Sequence, residues 1–207
     1  MLDYARARRI LARRDPVMRD LMRRHGPCLL ADRQHADPFK ALMQAIISQQ
    51  LSTKAAATIG ARVMALCGGR VPTPQSVERL TDEQLRAAGL SGQKTRYMRD
   101  LSRRVLDGSL VLSEIESLDD DAVIETLTSV KGIGRWTAEM FLIFRLQRPD
   151  VLPVGDLGIV KAVQQNYGMR KVPDPKRLTR LGEQWRPYRS VACWYLWASL
   201  NNTPDQG

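Results

Sequence analysis

No apolar run in this 207-residue chain is long enough to cross a bilayer, and its arginine-rich N-terminus lacks the apolar core of a secretory signal. A cytoplasmic location is expected. Cysteine is scarce: Cys28, Cys67 and Cys193 are far apart and odd in number, which argues against a disulfide framework or a clustered metal site and predicts buried free thiols. The two histidines, His25 and His35, offer no paired spacing for zinc. Alternating apolar residues bounded by turn signals are also missing, so no sheet is predicted. Acid is in deficit. With 32 Lys and Arg against 22 Asp and Glu, the formal net charge of +10 points to a polyanionic partner, most simply nucleic acid. The charge is scattered instead of forming one polybasic block, which makes a membrane surface the weaker alternative.

What is present centres on residues 127–139, Leu-Thr-Ser-Val-Lys-Gly-Ile-Gly-Arg-Trp-Thr-Ala-Glu. Before the glycines, Asp119-Asp120-Asp121 supplies an N-cap and first-turn acids, and Ile124, Leu127 and Val130 recur at helical spacing. After them, Trp136, Met140, Ile143 and Phe144 continue the period towards Pro149. Gly132 and Gly134 can take positive φ cheaply and leave no side chain between the turn and a ligand. The new helix begins with unpaired N–H groups at the positive end of its dipole, which suits a phosphate, with Lys131 and Arg135 alongside. The plainer reading is a helix corner whose glycines only let two helices pack.

The rest of the chain reads as helices. Asp3 to His25 is one basic amphipathic helix or two, with Asp15-Pro16 as a fresh start and Ile10, Leu11, Val17, Leu21 and Met22 buried. Phe39 to Ser48 is apolar enough to run through the centre of a lobe, and Ser52-Thr53 caps an alanine-rich helix from Lys54 to Leu66. Thr81 to Gln84 has a capping pattern, and Gly89 to Thr95 partly echoes the central double-glycine turn. Leu157 to Tyr167 is a helix closed by Gly168, with Asp156 at its N-cap.

The central string, with Asp156 twenty residues after Trp136, resembles the helix-hairpin-helix of DNA-binding and repair proteins, in the form carried by the HhH-GPD superfamily of DNA glycosylases. Gly-Ile-Gly-Arg-Trp-Thr-Ala, the aspartate loop and Trp185-Arg-Pro-Tyr-Arg-Ser190 are most similar to the branch containing DNA-3-methyladenine glycosylase II, and the resemblance runs from about Phe39 to Trp197. It implies an all-α fold of two helical lobes with an active cleft between them. The expected boundaries are 38–150 for the lobe bearing the hairpin (about 118–147), and 1–37 plus 151–207 for the lobe bearing the aspartate loop.

The resemblance makes Asp156 the catalytic carboxylate. An N-cap aspartate is otherwise only a cap, but the roles are compatible: a fixed anion beside the sugar stabilises the positive charge that develops as an N-glycosidic bond breaks. No second acid is marked as its partner, and Glu139 is expected to be a surface or salt-bridge residue. Members that also cut the backbone carry a lysine where this chain has Trp136, which implies a monofunctional enzyme with an aromatic wall. Trp136, Tyr188 and Trp185 are the candidates for the base pocket, although most C-terminal aromatics are expected to pack the last helix.

Gln50, with Leu51 beside it, matches the position that fills the stack when a nucleotide leaves. Lys131, Gly132, Gly134, Arg135 and Thr137 are the expected DNA contacts of the hairpin. By the same resemblance, the backbone carbonyls of Thr128, Val130 and Ile133 would hold a monovalent cation, Na+ or K+. An iron–sulfur cluster is excluded on ligand count, since only Cys193 follows the aspartate.

The function implied is hydrolysis of alkylated purines such as 3-methyladenine from double-stranded DNA, with base flipping, as a base excision repair enzyme acting as a monomer. The alternatives are a non-catalytic duplex-binding module using the same hairpin, or a glycosylase for oxidised or mispaired bases.

Overall fold

Acids and hydroxyls set the helix starts. The structure, a computed structural model, describes residues 3–32 and 37–200; His35 lies outside them. All regular structure among the described residues is helical. The α-helices are α1 (Tyr4–Arg14), α2 (Pro16–His25), α3 (Pro38–Ser48), α4 (Thr53–Leu66), α5 (Pro74–Glu78), α6 (Asp82–Ala87), α7 (Gly92–Leu106), α8 (Asp120–Thr128), α9 (Arg135–Met140), α10 (Leu157–Asn166), α11 (Pro175–Gly182) and α12 (Arg189–Ser199). Asp3, Asp15, Asp37, Ser52, Thr73, Thr81, Ser91, Asp119, Asp156 and Asp174 each cap the following helix through a side-chain oxygen. Each such cap contributes about 1 kcal/mol. No helix among the described residues is long and apolar enough to cross a membrane.

By packing, the described chain divides into two units: residues 37–141, and residues 3–32 with 142–200. The first is built on α3 and α7, whose buried Phe39, Leu42, Ile46, Ile47, Met98 and Leu101 belong to its core. It carries the hairpin between α8 and α9. The second packs α1, α2 and α10 with α12, and Leu11, Met18, Leu21, Ile159, Val163 and a nearly continuous buried run from Val191 to Trp197 lie in its interior.

The changeover falls between Phe141 and Leu142, ahead of the expected boundary at 150. Polar contacts account for this. Ser190 Oγ donates to Arg148 O (2.6 Å) and accepts from Val151 N (3.0 Å), while Ser190 N donates to Pro149 O (3.0 Å). The Arg189 guanidinium forks onto Asp150, Nε to Oδ1 at 2.8 Å and Nη2 to Oδ2 at 3.0 Å. Residues 148–150 are thereby held to the start of α12. The helix expected to continue towards Pro149 also gives way earlier: α9 ends at Met140, and a π-helical turn covers Phe141–Arg145.

Candidate active site and nucleic-acid interface

In the hairpin of the first unit, the two glycines have different tasks. Gly132 sits at φ 85°, and a Cβ there would lie 2.1 Å from Cδ2 of Tyr97, so only glycine fits the turn and the ring beneath it. Gly134 is extended instead (φ −92°, ψ 172°), so the positive φ open to a glycine is used at Gly132 and not here, and the space around its Cβ position is open. It caps α9 without a side chain, so no capping group screens that N-terminus. Lys131 and Arg135 are exposed beside it, the latter paired to buried Glu139 at 3.0 Å. Glu139 is thus a salt-bridge residue but not a surface one. Thr137, expected among the DNA contacts, has its side chain buried.

The carbonyls proposed for a cation lie on this hairpin. Thr128 turns its hydroxyl back onto Ile124 O (2.7 Å), which keeps it away from its own carbonyl. Val130 O accepts Ile133 N–H at 3.1 Å and retains a second lone pair. With the Val130 and Ile133 side chains buried, their backbone carbonyls are the oxygen donors these two residues can offer a hard cation.

The turn after α3 belongs to the same unit. Gln50 is exposed at φ 57°, a left-handed conformation that few non-glycine residues adopt, and Leu51 is 40 % exposed. The adjacent Gln49 donates from Nε2 to Gly132 O at 2.7 Å, so the structure brings the candidate wedge and the hairpin together. Trp136, at the start of α9, is 48 % exposed, unusual for an indole and consistent with an aromatic face offered to a ligand.

In the second unit, Asp156 caps α10 and is only 7 % exposed. Its Oδ1 accepts from Ile159 N at 2.7 Å and from the Trp197 indole Nε1 at 2.9 Å. Gly158 makes room for this pair, because a Cβ there would come within 3.0 Å of Oδ1 and 3.2 Å of the indole Cδ1. The result is a carboxylate of fixed orientation, chemistry suited to stabilising a cation that appears transiently.

Trp185 is corrected from a pocket residue to a core residue. It is 0 % exposed, its Nε1 donates to Asp15 Oδ2 at 2.8 Å, and its ring tilts against Tyr167 at 6.3 Å. Tyr167 donates its hydroxyl to the same carboxylate, and burial, followed by that hydrogen bond and then the negative charge of Asp15, pushes the phenol pKa far up. Tyr188 stays half-buried just ahead of α12. Sequence reasoning gave no role to Lys94, Tyr97 or Asp100, and placed Trp197 only among the aromatics of the last helix. A tryptophan among several in an apolar helix carries no signal of its bonding partner, and the echo of the double-glycine turn at Gly89 to Thr95 marked the start of α7 without saying which of its side chains reach other turns.

The profile of the HhH-GPD superfamily base excision DNA repair proteins matches residues 43–187. The chain is 37% identical over 163 residues to DNA-3-methyladenine glycosylase 1 of Schizosaccharomyces pombe, covering 78% of this chain and 72% of that one. Among solved structures it is similar to the 3-methyladenine DNA glycosylase of Schizosaccharomyces pombe in complex with abasic DNA, with TM-score 0.83, 32% identity and coverage of 98% of this chain and 100% of the other. The DNA-3-methyladenine glycosidase of Bacillus halodurans superposes with TM-score 0.73 at 39% identity over 89% of each chain. The match spans the hairpin, the Gln50 turn and the Asp156 loop alike, and this chain therefore belongs to the HhH-GPD superfamily of base excision DNA repair proteins.

Proposed function

We propose that the chain is a monofunctional, monomeric DNA glycosylase that hydrolyses the N-glycosidic bond of alkylated purines, 3-methyladenine above all, in double-stranded DNA. The observation that carries the reading is the fixed carboxylate of Asp156, held through one oxygen by a backbone amide and an indole. In the reaction the bond between C1′ and the purine breaks, and its electron pair leaves with the base. An alkylated purine that entered as a cation departs neutral. Positive charge builds on the sugar, where Asp156 stabilises it, and a water oxygen bonds to C1′ while its surplus proton passes to solvent. Protonation of the leaving group is unnecessary for such a base, in keeping with a single catalytic acid residue.

Trp136 supplies an electron-rich face for the cationic purine, and Tyr188 is the second aromatic candidate. Gln50 and Leu51 fill the stack after extrusion, which otherwise costs a few kcal/mol. The hairpin grips a phosphate through its backbone, flanked by Lys131 and Arg135. The carbonyls of Thr128, Val130 and Ile133 are the groups that would hold a monovalent cation, which would add positive charge facing that phosphate. DNA binding that is indifferent to exchange of sodium or potassium for a bulky organic cation would remove the cation from this scheme.

Incubation with methylated duplex DNA and chromatography of the released bases tests the main reading. Free 3-methyladenine is the expected product. Tight duplex binding with no base released would instead favour a binding module, and release of oxidised bases alone would favour the other glycosylase class.

A further inference from the structure

One face of α7 carries Lys94, Tyr97 and Asp100 at three-residue intervals, and each ends on one of the two turns assigned to DNA. Lys94 Nζ donates to Ile47 O and to Gln49 O, both at 2.6 Å, capping the carbonyl end of α3 where the Gln50 turn begins. Tyr97 occupies the space that a Gly132 side chain would need. Asp100 Oδ2 accepts Lys131 N–H at 2.9 Å, and its Oδ1 lies 3.9 Å from the Lys131 ammonium. Burial opposes charge on Asp100, but the Lys131 amide and Arg104 outweigh it and hold the carboxyl below its usual range. Gln49 closes the loop through its 2.7 Å bond to Gly132 O.

The same groups would be simple helix caps if the turn they hold were relaxed. It is not: Gln50 is held at positive φ, with an exposed side chain, directly after Gln49, whose carbonyl is fixed by an ammonium and whose side chain is bonded to the hairpin. Placing an ammonium here also has a cost, since burial lowers the pKa of Lys94. Water or a glycine cap would satisfy the carbonyls without that penalty.

We infer that Lys94 is a positioning residue that, together with Gln49, fixes the Gln50–Leu51 turn at a set offset from the hairpin, so that gripping a phosphate aims the wedge at the neighbouring stack. The inference rests on the proposed roles of the hairpin and of Gln50. Rigid offset matters because displacement of a reacting or inserting group by 1 Å costs on the order of a hundredfold in rate. A wedge that could drift would be gripped to the duplex without holding the base out.

Lys94→Met keeps the apolar stem and removes both hydrogen bonds; Gln49→Ala breaks the link to Gly132 from the other side and carries the test if Lys94→Met fails to fold. The substrates are a duplex in which the lesion faces a normal partner, and the same duplex with the partner nucleotide missing, where the lesion is already loosely stacked. A 2-aminopurine next to the lesion reports extrusion by fluorescence. In both variants duplex affinity should stay within about twofold, while extrusion and single-turnover excision fall about tenfold on the paired lesion and recover on the unpaired one. Lys94→Arg, which still offers donors to the two carbonyls, should restore part of the loss. Equal losses on both substrates, or no loss on the paired one, would overturn the inference. If the unaltered protein releases base from neither duplex, the glycosylase reading fails instead, and the fluorescence arm alone still decides whether Lys94 governs extrusion.

Discussion

Trp197 holds Asp156 by the same oxygen that caps α10: its indole N–H meets Oδ1 at 2.9 Å, and the ring is 2 % exposed with Phe144 tilted against it at 5.5 Å. A hydrogen bond to a charged acceptor contributes about 1.5–3 kcal/mol, so its loss should be legible in the rate if the carboxylate is catalytic. Trp197→Phe retains an aromatic filler and removes the donor. Single-turnover excision should fall by about tenfold or more, with affinity for abasic DNA unchanged. An unaltered rate in this variant would reduce the indole to packing.

Gly132 and Gly134 should fail differently when replaced by alanine. Gly132→Ala forces a Cβ into Tyr97 at a residue with φ 85°, and overpacking of this kind costs about 1–3 kcal/mol, a loss visible as a lowered melting temperature. Gly134→Ala meets open space at an ordinary φ, so the fold should hold, but the methyl group stands where backbone would approach phosphate. Its melting curve should match the parent while duplex affinity drops in a salt titration. Matching affinity would move the phosphate contact elsewhere on the hairpin.

Trp185 and Asp15 bear on stability, not on base recognition. Trp185→Phe removes the 2.8 Å indole donor from Asp15 Oδ2 inside the second unit and leaves that oxygen to the Tyr167 hydroxyl, and losing a hydrogen bond to a charged acceptor costs about 1.5–3 kcal/mol. Denaturant unfolding should shift by that amount, while KM for alkylated DNA stays constant at temperatures where the variant is folded. A raised KM with unchanged stability would return Trp185 to the pocket.

What the sequence made legible were features that act locally. The Asp15-Pro16 restart, the Thr81/Gln84 capping box and the Ser52 and Asp119 caps all appear where hydroxyl, acid and proline spacing put them. The short helices α5 and α11 escaped because few apolar positions fit in so few turns, although Thr73-Pro74 and Asp174-Pro175 are sound start signals. Ala7 and Met18 were missed as core positions of α1 and α2. Asp156 was readable as a cap from its place ahead of the apolar periodicity of α10. Its Trp197 partner is 41 residues away, and the Gln49–Gly132 bond spans 83, distances over which one sequence has no periodicity to follow.

The most discriminating outcome concerns what is left of the DNA. If Asp156 acts on the sugar and Trp136 stands where an amine would form a covalent adduct, base loss should leave an intact abasic strand that breaks only under later alkali or heat. Asp156→Asn retains an N-cap oxygen for Ile159 N–H and a bonding partner for Trp197 but removes the negative charge. It should therefore fold and bind abasic DNA as before while losing about a hundredfold or more in excision, the scale of removing one electrostatic stabiliser. Borohydride added during the reaction should trap no protein–DNA adduct, because reduction needs an imine at C1′ and no lysine replaces Trp136. Full excision by Asp156→Asn would leave the aspartate as a cap only. A trapped band abolished by replacing a single lysine would show a lyase, and the monofunctional assignment would fall with it.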